Sequence, residues 1–236
     1  MRVRVVLVEP EGEVNVGLVA RVVMNFGFHD LVIVRPKASI EEALNYASHA
    51  RDLLRSARIA QSIEEAVAGS TLIAATSSKP GKGRDIVRVS VTPEQLASLA
   101  GSGDGLLSIL FGRESIGLTR DEIALADVLV TIPASPQYPT LNLSHAVAII
   151  LYELFKRLQG GKGHVRPRPM MSERERRLIE MYINDVTRLI PLPEHKRARG
   201  VMALKRVIMR GRPTLTEAMA IITLFRRISE VLEGRV

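Results

Sequence analysis

Short apolar runs punctuate the first two thirds of the chain: VRVVLV, LVIV, TLIAAT, LLSILF and VLVTI, with a weaker one near ARIA. Each is brief, rich in β-branched residues and apolar at nearly every position. A strand with one wet face would alternate, so these read as strands buried on both faces. The segments between them carry helix start signals. Ser39 with Glu42, Ser62 with Glu65, Thr92 with Gln95 and Thr119 with Glu122 each pair a hydroxyl with Glu or Gln three residues on, the pattern of a capping box. Pro93 falls at a first helical position, where its missing N–H costs nothing. Alternating strands and helices predict an α/β fold with a mostly parallel sheet covered on both faces. Ligands of such sheets bind beyond the carboxyl ends of the strands.

The alternation stops at QGGKGHVRPRPMMS, residues 159–172. Its glycines and Pro167 and Pro169 make a charged linker. Further on, Ser172 with Glu175 and Thr214 with Glu217 start two helices, and a third runs from about His195 to Met209. The predicted organisation is a domain over 1–159, a linker over 160–172 and a small C-terminal helical extension over 173–236. Three helices enclose little volume, so the extension is expected to lean on the first domain or on a second subunit. No internal repeat or low-complexity tract interrupts this plan.

Charge divides the chain at the same place. Residues 160–236 hold 17 Lys and Arg against 8 Asp and Glu, leaving 16 against 17 in residues 1–159. The whole basic excess sits in residues 160–236, the last third of the chain, which points to a polyanion, nucleic acid first. The chain has no cysteine, which removes disulfides, thiol nucleophiles and zinc–thiolate sites. No apolar run reaches the roughly eighteen residues of a membrane span, and MRVRVVLVEPEGE reads as a strand, not a signal peptide. A cytoplasmic location is expected, with no membrane partner.

Several familiar chemistries fail. Gly12 and Gly17 have the spacing of a phosphate-binding loop, but Leu18 stands where lysine is required. No GxGxxG opens a helix. The histidines at 29, 49, 145, 164 and 195 show no ligand spacing, so no metal is expected. Ser144 and His145 are neighbours in a first helical turn, not a nucleophile and its base.

Three segments remain, each just after a predicted strand. EPEGEVNVGLVARVVMNFG places Asn15 and Arg21 on a helix whose Val16, Val19, Ala20 and Val23 form an apolar face. LFGRESIGLT sets Gly112, where backbone can approach a ligand, beside the opposite charges of Arg113 and Glu114. IPASPQYPTLNLSHAVAIILYEL puts three prolines and several hydroxyls directly before an apolar helix, a long and stiff loop where short ones are usual.

In this order and spacing the three segments resemble the motifs of the SPOUT methyltransferases, and more narrowly the TrmH-type RNA 2′-O-ribose methyltransferases. The TrmJ subfamily, which methylates the ribose at tRNA position 32, is the nearest match. The resemblance covers residues 1–159, and a basic helical tail fits it too. It implies a deep trefoil knot whose loops bind S-adenosylmethionine (SAM), a homodimer whose partner completes the site, and a tRNA substrate. Carried over by motif position, the cofactor contacts are Thr76, Ser77, Ser78, Gly112, Ile132, Pro139, Thr140 and Leu141.

A ribose 2′-hydroxyl is a poor nucleophile and needs a proton acceptor or a nearby positive charge. Arg21 is the arginine of the first motif. Its guanidinium stays charged, so the expected role is electrostatic stabiliser and phosphate clamp, with Asn15 orienting the ribose. The proton leaves by a backbone oxygen, Thr140 or water; Thr140 stands where close relatives carry serine. RNA would be gripped by Arg113, by Lys79, Lys82 and Arg84 in SSKPGKGRD, and by the tail. An rRNA ribose methyltransferase and a non-catalytic RNA binder are the competing readings.

Overall fold

The computed structural model describes residues 1–78, 90–101, 104–159 and 169–234. Along the chain run β1 (Arg2–Val8), α1 (Glu13–Asn25), β2 (Asp30–Val34), α2 (Ile40–Ala47), α3 (Arg51–Arg55), β3 (Arg58–Ala60) and α4 (Ile63–Ala66). Then come β4 (Leu72–Thr76), β5 (Ser90–Val91), α5 (Pro93–Ala100), β6 (Leu106–Phe111), α6 (Arg120–Ala124), β7 (Val128–Val130) and α7 (Leu143–Gln159). The extension is α8 (Glu173–Leu189), α9 (Glu194–Gly211) and α10 (Leu215–Leu232).

The strands form one seven-stranded sheet in the order β3-β2-β1-β6-β4-β7-β5. Every pairing is parallel. The uninterrupted apolar runs are explained by the layers. Successive residues of β1 alternate between two cores: Val3, Val5 and Leu7 join the one built with α1, α2, α5 and α7. Val6 and Val8 join the other, built with Ile63 and Ala66 of α4 and Ile123 of α6. The same alternation runs through β2, β4 and β6, so a polar residue on either face would be stranded. Ser108, fully buried in β6, escapes by sharing a 2.8 Å hydrogen bond with the Ser70 hydroxyl.

Local signals held unevenly. Thr92–Gln95, Thr119–Glu122, Ser172–Glu175 and Thr214–Glu217 form reciprocal capping boxes. Ser39 and Ser62 accept from the backbone N–H three residues on, and the pair is not reciprocal at either. Glu65 instead accepts from the Gln61 N–H at 2.7 Å. The two-residue β5 was not anticipated, being too short and polar to register as an apolar run.

The extension has its own small core of Met171, Ile179, Ile183, Met209, Ala218 and Ile222. Residues 160–168 of the expected linker lie outside the described residues. Its last part is not linker: Met170 bridges Thr214 and Met171 is buried in the helical core.

The three helices rest on their own subunit's sheet domain. Asp127, fully buried just before β7, accepts from Arg176 Nη2 of α8 at 2.8 Å and from the Ile73 N–H at 2.9 Å. Arg176 Nη1 is 2.7 Å from Asp127 Oδ2 without hydrogen-bond alignment, so that contact is Coulombic. Lys205 of α9 stands 3.9 Å from the same carboxylate and 3.1 Å from Glu180. Met202 packs on the second core, and Arg212, at the end of α9, donates to the Leu99 carbonyl. The composition of the tail does not announce this docking, because its anchor is one aspartate far away in sequence.

Candidate functional site

The carboxyl ends of β4, β6 and β7 open into a cavity of about 360 Å³. Thr76, Ser77 and Ser78 form one wall after β4. The loop from Gly112 to Leu118 forms the second, and Ile132 with Pro139, Thr140 and Leu141 forms the third. All eight residues expected to contact a cofactor therefore line one space. The Thr76 hydroxyl is held by the Leu110 carbonyl at 2.9 Å, and the Ser77 N–H by the Val130 carbonyl at 3.0 Å. Thr140 donates to Ser78 Oγ across the cavity at 3.4 Å.

The loop after β6 is pinned by charge. Arg113 is buried, with Nε donating to Glu9 at 2.9 Å. Its two terminal nitrogens donate to the Glu122 carboxylate at 3.0 and 2.9 Å. Bidentate charge-assisted bonds of this kind are directional and strong. Arg113 is thus a structural clamp between the end of β1 and α6, with these donors turned inward where an RNA contact was expected. The hydrogen bond from Arg113 holds the Glu9 carboxyl below the usual range. At Glu122 burial pulls upward, but the bonds from Arg113 and Thr119 outweigh it and the carboxyl also ends low.

Gly112 also has a requirement within its own loop. A Cβ there would sit 2.3 Å from Gly117 C and Leu118 N, backbone atoms of its own loop. The glycine lets the loop close on itself, which shapes the wall before any ligand arrives.

Glu114 joins the three segments. Gly12, the N-cap of α1, has no side chain to offer the helix's orphan N–H groups. Glu114 ties down the entry to the helix, accepting from the N–H of Glu11 at 2.9 Å, from the N-cap Gly12 N–H at 3.2 Å and from Asn15 Nδ2 at 2.9 Å. Asn15 Oδ1 in turn accepts from Asn142 Nδ2 at 2.9 Å. The Asn142 carbonyl oxygen accepts from Ser144, both N–H at 2.9 Å and hydroxyl at 2.7 Å. Both ends of the Asn15 amide are occupied, and Asn15 knits the first motif to the second and third. Sequence reasoning offered Glu114 only as a charge beside Arg113 and missed Asn142.

Arg21 lies on the exposed side of α1 and does not line the cavity; among the described residues it has no hydrogen bond or ion pair. Lys79, Lys82 and Arg84 lie outside the described residues. One exposed side chain lining the cavity was also missed, Ile116, 69% exposed. An isolated apolar residue in a loop gives no periodic signal.

The profile of the SpoU rRNA Methylase family matches residues 2–152, more than half of the chain. The chain belongs to that family. Among similar SpoU-family proteins is a tRNA (cytidine-2′-O-)-methyltransferase TrmJ from Sulfolobus acidocaldarius, 37% identical over 97% of this chain and 94% of its own. The same-named protein of Methanocaldococcus jannaschii is 38% identical over 95% of this chain and 98% of its own. The crystal structure of TrmJ from Z. mobilis superposes with a TM-score of 0.72 at 27% identity, covering 97% of this chain and 99% of that one. The SpoU methyltransferase AviRb of Streptomyces viridochromogenes, solved with AdoMet, shares the fold at a TM-score of 0.53 and 20% identity, covering 68% of this chain and 62% of that one. These likenesses identify the α/β architecture as that of the SPOUT methyltransferases, and the TrmJ likenesses extend through the helical tail.

Proposed function

We propose that the chain transfers a methyl group from SAM to the ribose 2′-hydroxyl of a tRNA, at position 32 of the anticodon loop. The observation that carries this reading is the convergence of three sequence-distant segments on one cavity, fastened by Glu114, Asn15 and Asn142. The names of the relatives matched along nearly their whole length supply the substrate class. The cavity fits a cofactor of this size and kind, with small hydroxyl residues and backbone on one side and apolar Ile132 and Leu141 on the other. When bound, SAM supplies an activated methyl group on a sulfonium.

The chain's own part is to hold the ribose, exclude water and stabilise the developing alkoxide. Thr140, which lines the cavity, accepts or relays the proton in this reading. Arg21 supplies positive charge and clamps a phosphate, and a homodimer resolves its distance from its own cavity. Val14 and Met24, both exposed, flank Arg21 on α1, and exposed Ile149 and Tyr152 lie on the adjoining α7. A second copy covering this apolar face would bring its Arg21 to the neighbouring cavity. The knot belongs to the same reading, supported by β7 lying between β4 and β5 while its outgoing segment returns to the cavity. So do a cytoplasmic location and the division into a catalytic domain and an RNA-binding tail. Among the described residues no helix is long and apolar enough to cross a membrane.

The test is incubation with labelled SAM and tRNA transcripts, followed by nuclease mapping of the methylated nucleotide. A 2′-O-methyl mark at position 32 is the expected result. Label on another nucleotide or on rRNA fragments removes the target assignment, and no label despite binding removes the catalytic one.

A further inference from the structure

The basic excess of the tail is less available than its count suggests. Arg176, Arg206 and Arg212 are buried. Arg177 pairs with Glu173, and Arg226 and Arg227 share Glu230. Arg210 donates to the carbonyl of Arg206. Arg174, in the first turn of α8, stays exposed, and two more exposed cations lie at the other end of the bundle. Arg188, in the last turn of α8, is exposed and has no partner among the described residues, and Lys196 in the first turn of α9 is in the same condition.

Between those helix ends lies a groove of about 400 Å³, floored by Ala124 of α6, Val201 and Met202, and walled by Arg188, Arg197 and Lys205. Lys205 is paired with Glu180 and Asp127, and Arg197 with the mostly exposed Glu194, which leaves Arg188 as the groove's cation without a carboxylate partner. Arg197 spends Nη1 on Glu194 at 2.8 Å and Nη2 on the Leu192 carbonyl at 3.1 Å. Its Nε is shielded from solvent and has no partner. That unmatched donor is a cost that an anion in the groove would remove once the Arg197 side chain turns toward it.

Resting on the tRNA reading above, we propose that this groove is a second RNA site, holding backbone phosphate through Arg188 and Arg197. The occupant is a structured RNA, not a mononucleotide. The groove adjoins Ala124 at the amino end of β7, whereas the cavity lies beyond its carboxyl end at Ile132. Five residue steps of extended chain lead from Asp127 to Ile132, roughly 16 Å at about 3.3 Å per residue. An RNA engaging both places must be folded and several nucleotides long. Phosphate contact confers affinity and register without reading bases.

The test uses the full-length protein, a tRNA transcript and binding isotherms across a salt series. Arg188→Ala should lower the slope of log affinity against log salt by about one, and Arg188→Ala with Arg197→Ala by about two. The double variant's loss of affinity between about 50 and 200 mM salt should then be roughly tenfold smaller than that of the unaltered protein. SAM affinity and turnover at saturating tRNA should not change. Arg188 makes no contact whose loss would unfold the bundle, so Arg188→Glu gives a second measurement that folding does not confound. Equal slopes for all variants, or unchanged affinity in Arg188→Glu, would overturn the proposal. The two readings separate cleanly. A protein that methylates tRNA with an Arg188-independent slope sinks the groove alone. One that binds tRNA through Arg188 but transfers no methyl sinks the catalytic reading and keeps the groove.

Discussion

Replacing Arg176 by methionine isolates the link between the helical tail and the sheet. The substitution keeps length and apolar stem but removes the charge facing Asp127, a carboxylate with no solvent exposure. Breaking a buried pair by deleting one partner costs about 3–5 kcal/mol, because the other charge stays buried. Lys205, 3.9 Å away, remains as a weaker counter-charge and sets the expectation near the lower end, about 3 kcal/mol. For a chain of this size that is roughly 6–12 °C in melting temperature. Burial already pushes the Asp127 carboxyl up, opposed first by Arg176 and then by Lys205. Without Arg176 it moves further up. A carboxyl raised in the folded state binds a proton that the unfolded chain releases, so the deficit of the variant is largest at neutral pH and shrinks on acidification. Adding Asp127→Asn removes the stranded charge while keeping an acceptor for the Ile73 N–H, and should recover more than half of the loss. Denaturant melts of both single variants and the double, at two pH values, complete the cycle. A single-variant loss below about 1 kcal/mol, or a double variant no better than the sum of the singles, would refute the account of Asp127 as a charge that depends on Arg176.

Three further outcomes follow from the site. Arg21→Ala should melt at the temperature of the unaltered protein and bind SAM equally well in calorimetry, yet lose methyl transfer; near-normal turnover would remove Arg21 from the chemistry. Gly112→Ala forces a Cβ against backbone 2.3 Å away, so it should reduce both melting temperature and SAM affinity, and unchanged SAM binding would show that the loop relaxes freely. Because Glu9 and Glu122 are held low, their contribution is fully present above the ordinary glutamate value of about 4.3 and is lost as pH falls through their lowered values. Arg113→Met should flatten that acid limb in a thermal series, and an unaltered limb would mean that other carboxylates dominate it.

The apolar runs made the sheet legible because a strand buried on both faces leaves little room for polar residues. The cavity walls were legible through motif order, and all eight carried-over positions converge on one space. What stayed hidden depends on partners distant in sequence. Arg113 and Glu114 look alike as exposed charges. One is clamped by Glu9 and Glu122, and the other ties down the entry to a helix that begins at Glu13. Asp127 reads as a loop residue before a strand until Arg176 arrives from α8. Gly112 was legible as necessary, but part of the cause lies in Gly117 and Leu118, which no pattern of spacing reveals.

The sheet order also bears on how the protein is made. β1 occupies the interior of the sheet, hydrogen-bonded on one side to the early β2 and on the other to β6, with Val5 opposite Ile109. While the chain emerges from the ribosome, β1 and β2 can pair at once, but the other edge of β1 waits until Phe111 has been synthesised. An all-parallel sheet with such long-range closures folds slowly, since loop entropy is lost before the contacts repay it. Until then an apolar edge faces outward, open to a neighbouring nascent chain. The rate of translation across the first half of the gene therefore sets how long that edge stays open, a history that the finished fold no longer displays.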